Sequence, residues 1–151
     1  MFEQHFAHYL LKNERITTSH YDLLKQQQSA RVKLGLIAVA EKLLTHEQAE
    51  KLNSLQKQTD RRFGDLAVER GYLSAHQVDN LLKMQGNPYL GLVQVLTEND
   101  ILSLDQIEDS LEAYQVEYGF SDADLQVLKS GNLDDIIPLY VRIDPPLAVD
   151  Y

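Results

Sequence analysis

A serine or threonine followed three residues later by glutamine recurs along this chain at nearly constant intervals. The pairs are Thr45–Gln48, Ser74–Gln77 and Ser103–Gln106. In such a capping box, the hydroxyl accepts a hydrogen bond from a backbone N–H of the first helical turn. The glutamine in turn accepts one from the N–H of the cap residue. Each pair therefore predicts the start of a helix.

The intervals between the caps predict an internal repeat. Thr17 opens the series with His20 in the place of glutamine, and the successive cap spacings are then 28, 29 and 29 residues. An apolar residue precedes each cap and another follows it by four positions, as in a hydrophobic staple. Eleven residues after the caps stand Gln28, Gln56, Gln85 and Tyr114. We therefore expect four repeats of 28–29 residues.

Each repeat has the pattern of two helices. After the cap, apolar residues such as Val78, Leu81 and Leu82 lie on one helical face. Before it comes a short apolar helix, and Gly71 stands where a left-handed residue must end that helix. Lys42 occupies this place in the second repeat, at a steric cost. Because a small hairpin cannot bury its apolar face alone, neighbouring hairpins should stack. The prediction is an all-α bundle or short solenoid of four tandem helical hairpins over residues 1–118.

The tail departs from the repeat. Ser121 with Asp124 predicts one further short helix, which Gly131 ends. The stretch "IIPLYVRI" predicts an extended segment, at best an edge strand, because Pro138 has no N–H to donate to a sheet. "DPPLAVDY" predicts a stiff linker of the kind that leads into a further domain. We expect residues 119–151 to form an acidic appendage.

Composition excludes several classes of protein. The chain has no cysteine, so it has no disulfides or thiolate metal sites. No apolar run approaches the roughly 18 residues that a membrane span requires. The amino terminus lacks the basic start and cleavage site of a secretory signal, which makes a cytoplasmic location the expectation.

Charge is unevenly distributed. The net charge of −9 argues against DNA or RNA as a partner, since a phosphate backbone demands a basic surface. Residues 1–85 hold 12 Lys/Arg and 10 Asp/Glu, whereas residues 86–151 hold 2 and 13. This asymmetry predicts two surfaces with different partners.

No set of residues predicts catalysis or a metal. The chain has no phosphate-binding G-x-x-x-x-G-K-[ST] sequence and no evident nucleophile–base pair. His5 and His8 are spaced to share a metal on a helix, but no third ligand accompanies them. Glu50 and Asn53 form an E-x-x-N pair like that of chemotaxis phosphatases, without the surrounding signature. We expect a non-enzymatic protein without a cofactor.

The stretch "RFGDLAVERGYLSAHQVDNLLKMQ", residues 62–85, resembles the amino-terminal domain of type II secretion and type IV pilus assembly ATPases. That family repeats R-L-G, apolar residues, a glycine, a capped helix with spaced leucines and then glutamine. The third repeat matches at Arg62, Gly64, Gly71, Leu73, Leu81 and Gln85. The second matches at Leu34, Gly35, Leu44, Leu52 and Gln56 and departs at Lys33 and Lys42. The resemblance covers about residues 33–85.

The resemblance implies a nucleotide site, because some members of the family bind cyclic di-GMP through a pair of these motifs. Glycine lets a backbone approach a phosphate, arginine grips a phosphate or stacks on guanine, and a glutamine amide both donates and accepts hydrogen bonds. The residues that the resemblance implies are Lys33, Leu34, Gly35, Gln56, Arg61, Arg62, Phe63, Gly64, Asp65 and Gln85.

Two functions follow as expectations. The first is a bacterial regulatory or adaptor module that recognises a protein in a secretion, pilus or chemotaxis-type system. Chemotaxis enters because residues 122–141 loosely resemble a segment that precedes a phosphatase-like domain in some chemotaxis proteins. The second is a receptor for cyclic di-GMP. Stacked hairpins should gather the basic residues Arg31, Lys33, Arg61 and Arg62 on one side.

Overall fold

The computed structural model describes residues 1–27 and 31–142. Within these residues the chain is α-helical and has no β-strand, which confirms the all-α prediction. The helices are α1 (Phe2–Lys12), α2 (Thr18–Gln26), α3 (Leu34–Ala40), α4 (His46–Thr59), α5 (Phe63–Glu69), α6 (Ala75–Met84), α7 (Pro88–Glu98), α8 (Leu104–Tyr118), α9 (Asp122–Ser130) and α10 (Leu133–Val141). No helix in this part of the chain is long and apolar enough to span a membrane.

The predicted caps are confirmed in all four repeats and in α9. In the second repeat, Gln48 N–H donates to Thr45 Oγ1 at 3.1 Å, and Thr45 N–H donates to Gln48 Oε1 at 3.0 Å. In the first repeat histidine replaces glutamine chemically as well as in sequence. There Thr17 N–H donates to His20 Nδ1 at 3.2 Å. The capping boxes therefore mark where the second helix of every hairpin begins.

The turn inside each hairpin has one left-handed residue, always three positions before the cap. The φ angles are 59° at Glu14, 62° at Lys42, 73° at Gly71 and 53° at Asp100. The predicted strain at Lys42 is thus confirmed, and two further repeats share it. Glycine makes this turn without steric cost, whereas the other three residues carry a Cβ into a region that disfavours it.

The chain folds into two compact units. Unit 1 comprises Met1–Ser29 and Asn87–Tyr151, and unit 2 comprises Ala30–Gly86. Unit 2 contains α3–α6, and unit 1 contains α1, α2 and α7–α10. The boundary between Gly86 and Asn87 coincides with the change in charge balance after residue 85.

Both units use the same hairpin pairing. In unit 2, α3 packs against α5 and α6, and α4 packs against α5. In unit 1, α1 packs against α7 and α8, and α2 packs against α7. Exchanging the two hairpins of either unit leaves its set of contacts unchanged, as an approximate two-fold axis requires. The first repeat thus packs with the fourth, not in the sequential stack that the repeat spacing had suggested.

The extended segment predicted at "IIPLYVRI" is wrong for its described part. Residues up to Val141 belong to α10, and Asn132 caps this helix by accepting from Asp134 N–H at 3.1 Å. Pro138 lies inside α10 and removes one helical hydrogen bond. Burial of Ile136 and Tyr140, four residues apart on one helical face, outweighs that loss. Ile143 and the "DPPLAVDY" stretch lie outside the described residues, as does Gln28.

Aromatic side chains fill the core of unit 1. His5 of α1 lies among Tyr114, Tyr118 and Tyr140, with ring centroids 5.1–5.4 Å away. Its Nδ1 is 2.5 Å from the Tyr114 hydroxyl, which is 3.1 Å from that of Tyr140. Burial lowers the pKa of His5 to about 4, with His8 and Lys12 adding a smaller electrostatic effect. His5 is therefore a neutral core residue, hydrogen-bonded to tyrosine.

Candidate functional site

Unit 2 contains an open cleft of about 1280 Å³ between the α3–α4 and α5–α6 hairpins. All ten residues that the resemblance implied lie on its wall: Lys33, Leu34, Gly35, Gln56, Arg61, Arg62, Phe63, Gly64, Asp65 and Gln85. Arg31 lies outside this lining, so three of the four expected basic residues meet in one place. The fold therefore brings together two sequence segments that are 29 residues apart.

Equivalent positions of the two hairpins face the same cleft. Counted from the caps Thr45 and Ser74, six register positions contribute a residue from each hairpin. The pairs are Lys33 and Arg62, Leu34 and Phe63, Gly35 and Gly64, Glu50 and Asp79, Asn53 and Leu82, and Gln56 and Gln85. The cleft wall therefore has an approximate two-fold symmetry, as the helix contacts of unit 2 do.

Positive and negative side chains occur in equal number on the wall. The cations are Lys33, Lys57, Arg61 and Arg62, and the carboxylates are Glu50, Asp65, Glu69 and Asp79. The Arg61 guanidinium pairs with the Glu69 carboxylate. A site for phosphate alone gains nothing from carboxylates. A ligand that presents both anionic oxygens and N–H donors can use both kinds of group.

Two large apolar side chains on the cleft wall are exposed to water. Val68 is 41% exposed and Leu82 is 45% exposed, although both are large hydrophobic residues. Phe63 is buried beside them on the wall. Exposed apolar groups inside a concave surface are typical of ligand sites. The faces of planar rings are the chemical groups that would cover them.

The two motif glycines are explained by helix packing. A Cβ built on Gly64 would lie 2.7 Å from Val78 Cγ1, closer than real Cβ contacts. A Cβ on Gly35 would lie 3.2 Å from two ring carbons of Phe63. The glycines let α5 approach α6 and let α3 approach α5. Their presence in the motif therefore has a structural cause whether or not a ligand binds.

Gln85 closes unit 2 as well as lining the cleft. Its side-chain N–H donates to the Val32 carbonyl at 2.9 Å, and its backbone carbonyl accepts from the Val32 N–H at 3.3 Å. These two bonds join the beginning of the unit to its end. The equivalent Gln56 is exposed on α4. The two halves of the cleft therefore use the same residue type differently.

Sequence reasoning did not assign several residues that line the cleft. Glu50 and Asp79 stand five residues after their caps, and Asn53 and Leu82 stand eight after. Glu50 and Asn53 lie six and three residues before Gln56, and Asp79 and Leu82 lie six and three before Gln85, so helical spacing places them near the same face as these glutamines. The repeat register contained this signal, because both hairpins carry an acid at the first of the two positions.

Among residues 1–27 and 31–142, no three or more His, Asp or Glu side chains are grouped so that they could hold one metal ion. Comparison of the chain with family models, curated proteins and solved structures gave no match.

Proposed function

We propose that the chain is a non-enzymatic receptor that binds a cyclic dinucleotide of the cyclic di-GMP type in the cleft of unit 2. One observation carries the proposal: equivalent residues of two hairpins line one cleft. Cyclic di-GMP itself has two identical halves, each with one phosphate and one purine. A wall built from equivalent positions offers each half contacts at the same places.

The side chains on the cleft wall suit such a ligand. Lys33 and Arg62 supply one cation per hairpin for two phosphates. Val68 and Leu82, both of the α5–α6 hairpin, supply apolar surface for one purine face. Carboxylates on the wall accept from the N–H groups of a guanine edge, which presents donors that adenine lacks. The resemblance to the amino-terminal domains of secretion and pilus ATPases supports the same proposal.

Calorimetric titration with cyclic di-GMP tests it directly. Binding should raise the free energy of unfolding by about 2.7 kcal/mol at a ligand concentration 100 times the dissociation constant. Arg62→Ala and Lys33→Ala should each weaken binding at least tenfold, since each removes a charged contact. Arg70→Ala is the matched control, because this exposed arginine of the same unit does not line the cleft.

The linear dinucleotide obtained by opening the ring separates symmetric recognition from simple charge attraction. It should bind more weakly than the cyclic form, because it loses the preorganised two-fold shape. Absence of any heat or thermal shift with cyclic di-GMP would remove the proposal. Equal loss of binding in Arg70→Ala and Arg62→Ala would show that binding depends only on net positive charge and not on the cleft.

A second candidate is recognition of a protein through unit 1. The residues Leu133, Ile137 and Val141 recur every fourth position on α10 and are 52%, 47% and 74% exposed. They lie in the segment, residues 86–151, that has 13 acidic and 2 basic residues. An exposed apolar stripe within an acidic segment suits an amphipathic basic helix as partner.

A designed lysine–leucine amphipathic helix is a suitable probe for this candidate. Ile137→Glu should abolish binding of the probe. Val116→Glu, which adds the same charge at an exposed valine of α8, should leave binding intact. Equal effects of the two substitutions would show that only net charge matters.

A further inference from the structure

Unit 1 has its own cavity, of about 420 Å³, between α1, α2 and α7. Its buried surface is apolar and comes from Ala7, Leu24, Leu92 and Val95. Tyr21 and Gly91, which are partly exposed, and Lys25, which is exposed, also line it. The volume falls within the range of about 300–1,000 Å³ that small-molecule sites occupy.

The cavity occupies the register of the unit 2 cleft. Counted from the caps, Ala7 is equivalent to Gly35, and Lys25 is equivalent to Asn53. Gly91 holds the position of Arg62. The concave surfaces of the two units therefore share part of their register.

The chemistry of that position differs between the units. Where unit 2 has its two paired cations, unit 1 has His5 and Gly91. His5 is buried in the aromatic core and neutral near pH 7, since its pKa is lowered to about 4. The cavity in unit 1 thus lacks the two-cation arrangement that a pair of phosphates requires, and it should accept a different class of ligand.

Gly91 has no structural reason to be glycine. A Cβ built on it would meet nothing within 4 Å, and its φ is not in the left-handed region. Glycine inside a helix costs up to about 1 kcal/mol relative to alanine. Its effect is to leave helical backbone bare on the cavity wall. A flat molecular face can approach that wall more closely than it could approach a side chain.

One carboxylate and one ammonium line the cavity. Glu3 is the one carboxylate of the lining, and the Met1 ammonium donates to it at 2.9 and 3.0 Å. Lys25 is the one lysine or arginine of the lining, and its ammonium lies 4.6 Å from the centre of the Tyr21 ring. The Lys25 ammonium is therefore the group of the lining that can pair with an anion.

We propose that this cavity is a second binding site, for a small flat apolar molecule bearing one carboxylate. The apolar body would lie against Leu92 and the bare backbone at Gly91, and the carboxylate would meet Lys25. This site is separate from the proposed nucleotide function and does not depend on it.

The experiment is a ¹⁵N–¹H NMR titration of the full chain with 1-naphthoate. We expect saturable shifts of the Gly91 and Leu92 amides at millimolar or lower concentration. Gly91→Leu should abolish them, because its side chain fills the open space. Gly86→Leu is the matched control, since a Cβ there also meets nothing within 4 Å but the residue does not line the cavity.

A second set of variants tests whether binding requires the positive charge of Lys25. Lys25→Gln should weaken naphthoate binding by about fivefold, the effect of one partly exposed ion pair. Lys12→Gln, on α1 but outside the lining, should change nothing. The neutral 1-naphthalenemethanol should bind the parent chain and Lys25→Gln with equal affinity. That affinity should match the affinity of 1-naphthoate for Lys25→Gln. Absence of saturable shifts, binding retained in Gly91→Leu, or equal affinity of acid and alcohol for the parent chain would each overturn the proposal.

Discussion

Gly64 of α5 and Gly91 of α7 form a matched test of close helix packing. Both lie near the start of a helix, and neither has a left-handed backbone. A Cβ on Gly64 would come within 2.7 Å of Val78 Cγ1, whereas one on Gly91 would meet nothing within 4 Å. Alanine therefore adds the same helix propensity at both sites, and only the packing differs.

The magnitudes follow from two terms. Replacing a helical glycine by alanine stabilises by up to about 1 kcal/mol. Overpacking of a close contact costs about 1–3 kcal/mol. Val78 cannot turn aside cheaply, because a β-branched side chain in a helix strongly prefers one rotamer. Gly91→Ala should thus raise the free energy of unfolding by up to about 1 kcal/mol, and Gly64→Ala should lower it by about 1 kcal/mol.

Urea denaturation followed by far-ultraviolet circular dichroism measures both variants, provided that the slope with urea stays constant. A double variant then isolates the contact. With Val78→Ala the clashing carbon is gone, so Gly64→Ala should cost less in that background, with a coupling energy of about 1 kcal/mol or more. If Gly64→Ala proves as stable as Gly91→Ala, the packing explanation of the motif glycine fails.

Three further predictions concern stability. Lys42→Gly should raise the free energy of unfolding by about 1 kcal/mol and Gly71→Ala should lower it similarly, because both residues are left-handed; urea denaturation checks both. The pKa of His5 is lowered from 6.5 to about 4, so the unfolded chain binds a proton in that window that the folded chain does not. Stability should therefore fall as the pH drops from about 6.5 to about 4, by about 3 kcal/mol at most, and His5→Phe should flatten the profile. A flat profile in the parent chain would contradict this. Gln85→Ala should lower the free energy of unfolding by about 1–2 kcal/mol and speed hydrogen exchange at the Val32 amide, because it removes the hydrogen bond from the Gln85 side chain to the Val32 carbonyl. Unchanged exchange would show that Gln85 does not hold the two ends of unit 2 together.

The ten residues implied by the resemblance all line the cleft, but the sequence did not show what each of them does there. Repeats in register place equivalent residues on equivalent faces, so Lys33 and Arg62 had to be related by the symmetry of unit 2. Whether Gly64 serves a ligand or a neighbouring helix depends on where Val78 lies, which is a distance between helices. The bond from Gln85 to Val32 likewise spans 53 residues and has no sequence signature.

The helix caps and the left-handed turns at Lys42 and Gly71 were readable in the amino-acid sequence. Caps, staples and left-handed turns act between residues a few positions apart, so their energetics are complete within a short window. The pairing of the first repeat with the fourth, and the helical state of the segment around Pro138, were decided by packing. Both depend on burying apolar surface such as Ile136 and Tyr140 against residues distant in sequence, and an amphipathic pattern does not specify its partner.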